Sequence, residues 1–112
     1  MQISARILDG VDLIELSGRA TADAHLRLRE LFVEKIEEGR RRFIIKMSEA
    51  EFLDSLLLGE LVACYKRTAE REGSLKLVVT PNGMAHELLQ LTGLDSAFQI
   101  YGQENEAAAS IN

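Results

Sequence analysis

Ile3, Ala5 and Ile7 alternate with polar residues, the period-2 pattern of a strand with one covered face. Asp9-Gly10 follows, a pair suited to a two-residue hairpin turn because both positions want positive φ. Val11 to Leu16 is then the returning strand, closed by Ser17-Gly18. From Thr21 to Glu38 the period lengthens: Leu28, Leu31, Phe32 and Ile36 make one apolar stripe on a helix that Gly39 stops. Phe43, Ile44, Ile45 and Met47 form a short apolar run, typical of a strand covered on both faces. Ser48 to Leu53 reads as a connection. Ser55 to Arg71 reads as a second helix with Leu58, Leu61, Val62 and Tyr65 on its stripe and Gly73 at its close.

Leu75 to Thr80 predicts another buried strand, stopped by Pro81. Asn82 is suited to cap a third helix with Met84, Leu88 and Leu91 inward, ended by Gly93. Ala97 to Tyr101 predicts a last strand, and Glu104 to Ser110 a frayed helix. A hairpin followed by alternating helices and strands on short loops forces parallel pairing with right-handed crossovers. The expected fold is α/β: one domain over residues 1–112, a mixed β-sheet of about five strands packed against about four helices.

Composition narrows the function. At 112 residues and 46% hydrophobic, the chain can bury a core without metal or disulfide. Cys64, the only cysteine, has no partner for an internal bridge and lies among apolar residues, so a buried thiol is expected. Met1 leads into a polar alternating stretch, and no run approaches the roughly 20 apolar residues of a membrane span, so a cytoplasmic protein without membrane contact is expected. The net charge of −5 argues against nucleic acid. Arg40-Arg41-Arg42 is the exception, and its place after Gly39 reads as a solvated turn that offsets the helix dipole.

Catalytic patterns are scarce. His25 and His86 lack a ligand partner one helical turn away and read as surface side chains. No serine sits in a nucleophile elbow, and no glycine-rich phosphate loop occurs. Glu34, Glu37, Glu38, Glu70 and Glu72 read as solvated helix faces. No enzyme, metal or cofactor is expected. What stands out is Asp54-Ser55 at the mouth of the second helix, where either side chain can cap a free amide. The same helix end tolerates a phosphate, and phosphorylating Ser55 would add about −1.5 to −2 charges to a docking face.

Two segments resemble a known family. Phe43-Ile44-Ile45-Lys46-Met47-Ser48 through Phe52-Leu53-Asp54-Ser55 and Leu58-Gly59 is one; Leu88-Leu89-Gln90-Leu91-Thr92-Gly93-Leu94 with Phe98, Ile100 and Tyr101 is the other. Together they resemble the STAS domain of bacterial anti-sigma factor antagonists, from about Ile3 to Ala108. The resemblance implies that Ser55 is phosphorylated by an anti-sigma factor that is also a serine/threonine kinase. It further implies that the unphosphorylated protein binds this kinase and frees a sigma factor, and that a metal-dependent serine/threonine phosphatase resets it. Such a protein would regulate transcription, as in stress responses. The implied partner surface comprises Asp54, Ser55, Leu56, Leu57 and Gly59, with Thr21 and Asp23 nearby. Leu56 and Leu57 stand where the family has a hydroxyl residue and a glycine, Lys46 where it has an aspartate, and Thr21 where a second aspartate is common. The apolar first turn leaves open a non-switching module, either a signalling scaffold or an accessory domain of a lipid transporter, in which Ser55 only caps the helix. It also leaves room for a homodimer through Phe52, Leu56 and Leu57.

Overall fold

A computed structural model describes all 112 residues. The hairpin forms as its turn predicts: Asp9 and Gly10 both take positive φ (51° and 78°), joining β1 (Gln2–Leu8) to β2 (Val11–Arg19). The chain continues through α1 (Ala24–Glu37), β3 (Arg42–Lys46), β4 (Ala50–Phe52), α2 (Ser55–Ala69), β5 (Ser74–Val78) and α3 (Met84–Leu91). After a 3-10 turn at Leu94–Ser96 come β6 (Gln99–Tyr101) and α4 (Glu104–Ile111). The sheet runs β1-β2-β3-β5-β6, antiparallel only between β1 and β2, with β4 parallel to the far end of β2.

One face of the sheet carries the main core. Ile14, Leu16, Phe43, Ile45, Leu77 and Val79 meet Leu28, Phe32 and Ile36 of α1, Leu57, Leu61 and Cys64 of α2, and Leu89 of α3. Phe32 and Phe43 pack with ring centroids 4.4 Å apart. The opposite face holds a smaller cluster, in which Val11, Leu13, Ile44 and Val78 lie under Ala107 and Ala108 of α4. Phe43 and Ile44 therefore point to different cores, the reason β3 reads as an unbroken apolar run.

Several expectations are corrected. Ser17-Gly18 does not end β2; Gly18 (φ 81°) itself pairs with Ala50 of β4, and a bulge shifts the register before Arg19 meets Phe52. The segment read as a connection thus contains a strand, missed because it is three residues long and mostly exposed. Helix α1 starts three residues after Thr21, because Thr21 to Ala24 closes a turn through Ala24 N–H to the Thr21 carbonyl. Helix α3 is preceded by Gly83 rather than Asn82, and its buried residues are Ala85 and Leu89, leaving Leu91 84% exposed. The N–H of Asn82 donates to His86 Nδ1, so this half-buried histidine closes a local turn. Helix α4 is not frayed: Ala107 and Ala108 are fully covered, small enough to seat its backbone close to the sheet.

Two buried carboxylates tie the elements together. Glu60 of α2, 3% exposed, takes Arg29 of α1 at 2.9 Å and Arg67 of its own helix at 2.6 Å. The Cys64 thiol donates to it at 3.7 Å, and burial, then the Glu60 charge, pushes that thiol up to about 12. Asp12 of β2, 2% exposed, receives Arg40 Nε, with Lys35 3.9 Å away. The arginine run stays partly in water, with Arg42 exposed, but each side chain also has a partner: Arg41 donates to the Ile36 and Arg40 carbonyls at the end of α1, and Arg42 to Asn112 and Gly10.

Replacing Glu60 with Gln is expected to lower unfolding free energy by about 2–3 kcal/mol in urea titrations, since two guanidinium groups lose their anion but Arg29 stays half in water. A second prediction concerns α4. Lys46 at 2.9 Å, then Arg6, hold the Glu104 carboxyl below the usual carboxylate range. A depressed folded pKa stabilises above the unfolded value of ~4.3, and that stabilisation is lost as pH falls through the folded value. Thermal melts should show Glu104→Gln less stable than the parent at about pH 7, the gap closing as the pH drops below ~4.

Candidate functional site

The bulge at Gly18 sets up the rim where the expected site residues sit. Past it, Gly18 N–H donates to the Glu49 carbonyl at 3.0 Å and Ala20 N–H to the Phe52 carbonyl at 2.8 Å. The two parallel strands, β2 and β4, thus end side by side, and each runs directly into a helix. The loop carrying Thr21 and Asp23 leads into α1, and the loop carrying Leu53 and Asp54 leads into α2. Ala24 and Leu53 anchor the starts of the two helices in the main core. Two helix N-termini consequently open on one rim, each with the positive end of its dipole, although at α1 the Ala24 and Leu26 amides already donate to the Thr21 and Asp23 carbonyls.

At α2 the roles of the adjacent side chains separate. Asp54 takes the cap: its Oδ1 accepts the Leu57 N–H at 2.8 Å from extended backbone (φ −107°, ψ 173°). Ser55 is the first helical residue and is exposed, and its hydroxyl makes no hydrogen bond within the protein. The amides of Ser55 and Leu56 lie in the first turn, with no helix carbonyl one turn behind them. At α1 the arrangement differs. Asp23 occupies the cap position without bonding a helix amide; instead the Thr21 hydroxyl donates to its Oδ1 at 2.7 Å. That bond, foremost, draws the fully exposed Asp23 carboxyl below its ordinary value.

The apolar residues of the rim divide as well. Leu56 is 55% exposed, whereas Leu57 is wholly buried in the main core. Leu57 is therefore removed from the partner surface expected of it; as the third residue of the helix it points at the sheet. Gly59 is exposed one turn on. Phe52 of β4 is 42% exposed under the Arg19 guanidinium, 5.0 Å from the ring centroid. Leu26, in the first turn of α1, is also exposed. Its position off the Leu28 stripe was the signal for its exposure, but nothing in the sequence tied it to Ser55. Lys46 lies elsewhere, under α4 with Glu104 and Glu15, so its charge faces the opposite side of the sheet.

Sheet order and rim together define a mixed-sheet α/β protein whose distinctive surface is a pair of helix mouths flanked by exposed apolar side chains. The STAS domain family model matches residues 2–107, and the chain belongs to that family. A Thermotoga maritima protein whose name carries the words anti-sigma factor antagonist is 32% identical over 89 residues, 80% of this chain and 78% of that protein. The crystal structure of an anti-sigma factor antagonist from Mycobacterium paratuberculosis superposes with a TM-score of 0.86 at 24% identity, covering 98% of this chain and 92% of that one. The Bacillus cell fate determinant SpoIIAA in its phosphorylated form gives a TM-score of 0.77 at 18% identity, covering 99% and 100%.

The division between Asp54 and Ser55 is testable by stability alone. Asp54→Ala should cost about 1 kcal/mol in denaturant unfolding, whereas Ser55→Ala should stay within about 0.5 kcal/mol of the parent. Equal losses would mean that the serine shares the cap.

Proposed function

We propose that this chain acts as one STAS domain and is an anti-sigma factor antagonist, which binds an anti-sigma factor serine/threonine kinase, frees a sigma factor, and is switched off when Ser55 is phosphorylated. The observation that carries the reading is the exposed, unbonded Ser55 hydroxyl beside an aspartate that already holds the cap. A kinase can reach that hydroxyl, and modifying it leaves the cap of α2 in place. The antagonist named for the Thermotoga relative, and the phosphorylated form in which SpoIIAA has been solved, support the same reading.

The contact surface in this proposal is Asp54, Ser55, Leu56 and Gly59, joined by Thr21 and Asp23 from the neighbouring helix mouth. Unphosphorylated, Leu56 supplies the apolar contact and Ser55 stays small and neutral. A phosphate there brings about −1.5 to −2 charges. The two first-turn amides favour the phosphate in the free protein, so the modified state is stable in itself. In a complex the same group must shed water against an apolar surface and beside two carboxylates, which favours release. A metal-dependent serine/threonine phosphatase would restore binding. The non-switching module, favoured by the apolar first turn, is left with Leu56 alone on the surface, and the capping role it gave Ser55 is performed by Asp54.

Incubation with the cognate anti-sigma kinase and ATP should add one phosphate, located at Ser55 by mass spectrometry. In binding titrations Ser55→Ala should keep the parent affinity, while Ser55→Asp and Leu56→Glu each weaken it by at least about tenfold. An unmodified serine, or a Ser55→Asp variant that binds like the parent, overturns the proposal.

A further inference from the structure

The pole of the sheet opposite Ser55 holds a second concave site. Gly10 of the hairpin turn, Gly39 after α1, Asp12 and the run Arg40-Arg41-Arg42 line a cavity of about 190 Å³, with no apolar side chain in its wall. From Asp12 in its wall, β2 runs on to Arg19 before the helix mouths, roughly 23 Å of strand.

The cations here outnumber their anions. Asp12 is the one carboxylate in the wall, and Arg40 shares it with Lys35. Arg41 is taken up by the carbonyls of Ile36 and Arg40 at the negative end of α1. Arg42 meets neutral oxygens alone: its Nη1 donates to Asn112 Oδ1 at 2.6 Å and its Nη2 to the Gly10 carbonyl at 3.3 Å. Arg40 Nη2 reaches that same carbonyl at 3.4 Å. Two guanidinium groups therefore converge on a single neutral oxygen, through bonds at the long end of the range. Holding like charges this close is unfavourable, and an anion between them reverses the sign of the interaction.

We propose that this cavity binds an oxyanion of the phosphate class, free or as a monoester, with the forks of Arg40 and Arg42 as its main ligands. The planar guanidinium fork matches two oxygens of such an anion. The volume is several times the roughly 30 Å³ share of one water, enough for a phosphate head. The site involves no residue of the Ser55 rim, so its occupancy and the phosphorylation of Ser55 can be tested apart.

The experiment titrates inorganic phosphate into the isotope-labelled full chain at constant ionic strength, with chloride as the matched control. The expected result is a saturating shift of the Gly10, Gly39, Arg40, Arg41 and Arg42 amides that chloride does not produce. Arg42→Gln breaks no carboxylate pair and should weaken binding about tenfold. Arg40→Lys keeps a cation on Asp12 but removes the fork, and should weaken binding as well. Arg19→Gln, at the far rim, should leave it unchanged. A parallel titration with glycerol 3-phosphate distinguishes the sources: tighter binding than inorganic phosphate assigns a monoester, equal or weaker binding the free ion. Shifts that never saturate, that chloride reproduces, or that survive both arginine substitutions overturn the proposal.

Discussion

The pairing of β4 with the last residues of β2 is the interaction on which the rest of the rim depends. It is small, two residue pairs at the bulge at Gly18, yet it fixes where two helices begin. Without it the segment after β3 would be a free loop, and Asp54 would cap a helix at no particular distance from Asp23. With it, two chain segments leave one sheet edge in parallel and begin their helices together. The glycine matters because its positive φ lets β2 change partners without ending. A terminating turn at that point would have separated the two helix mouths.

The sequence made the strands of the main sheet and the stripe of α1 legible, for a physical reason. Each buries a contiguous face, so its apolar period is long enough to count. The misreadings fall where that condition fails. Helix α3 spans about two turns, and Met84, Leu88 and Leu91 make as regular a stripe as Ala85 and Leu89; the core beneath takes Ala85 and Leu89, with Leu88 packed at its margin. Helix α4 packs through alanines, whose weak hydrophobicity hides a wholly covered face. Of the candidate site, Asp54-Ser55 was visible from its spacing, but which of the two caps the helix was not. Both are good caps, and the extended backbone at Asp54 decides for the aspartate. Likewise, adjacent leucines in a first turn point to different sides, and the strand below selects Leu57 for the core.

Charge follows a similar logic. Asp12 and Glu60 are each almost fully covered, and each serves two cations from different places in the chain. Sharing one carboxylate between two cations eases the desolvation cost on the anion and leaves the cations partly in water. Both anions hold α1: Glu60 through Arg29 against α2, Asp12 through Lys35 against the sheet. The helix whose N-terminus forms half of the rim is therefore fixed at its middle and its end, which leaves the first turn, with Asp23 and Leu26, exposed to a partner.

The separation of cap from hydroxyl bears on how a signal at Ser55 could act. Had the serine capped α2, modifying it would have removed a bond worth about 1 kcal/mol and loosened the first turn. Binding would then be lost through local unfolding, and any stabilising ligand would partly restore it. With Asp54 holding the Leu57 amide, the backbone has no reason to move. The change is confined to the charge and size of one exposed group set among Leu56, Asp54 and the Asp23 loop. A switch of this kind needs no second conformation of the protein, only a partner surface that tolerates a hydroxyl and rejects a dianion. The discrimination then lies in the desolvation of the complex, and a rigid fold is an advantage because no relaxation of the rim can relieve the clash.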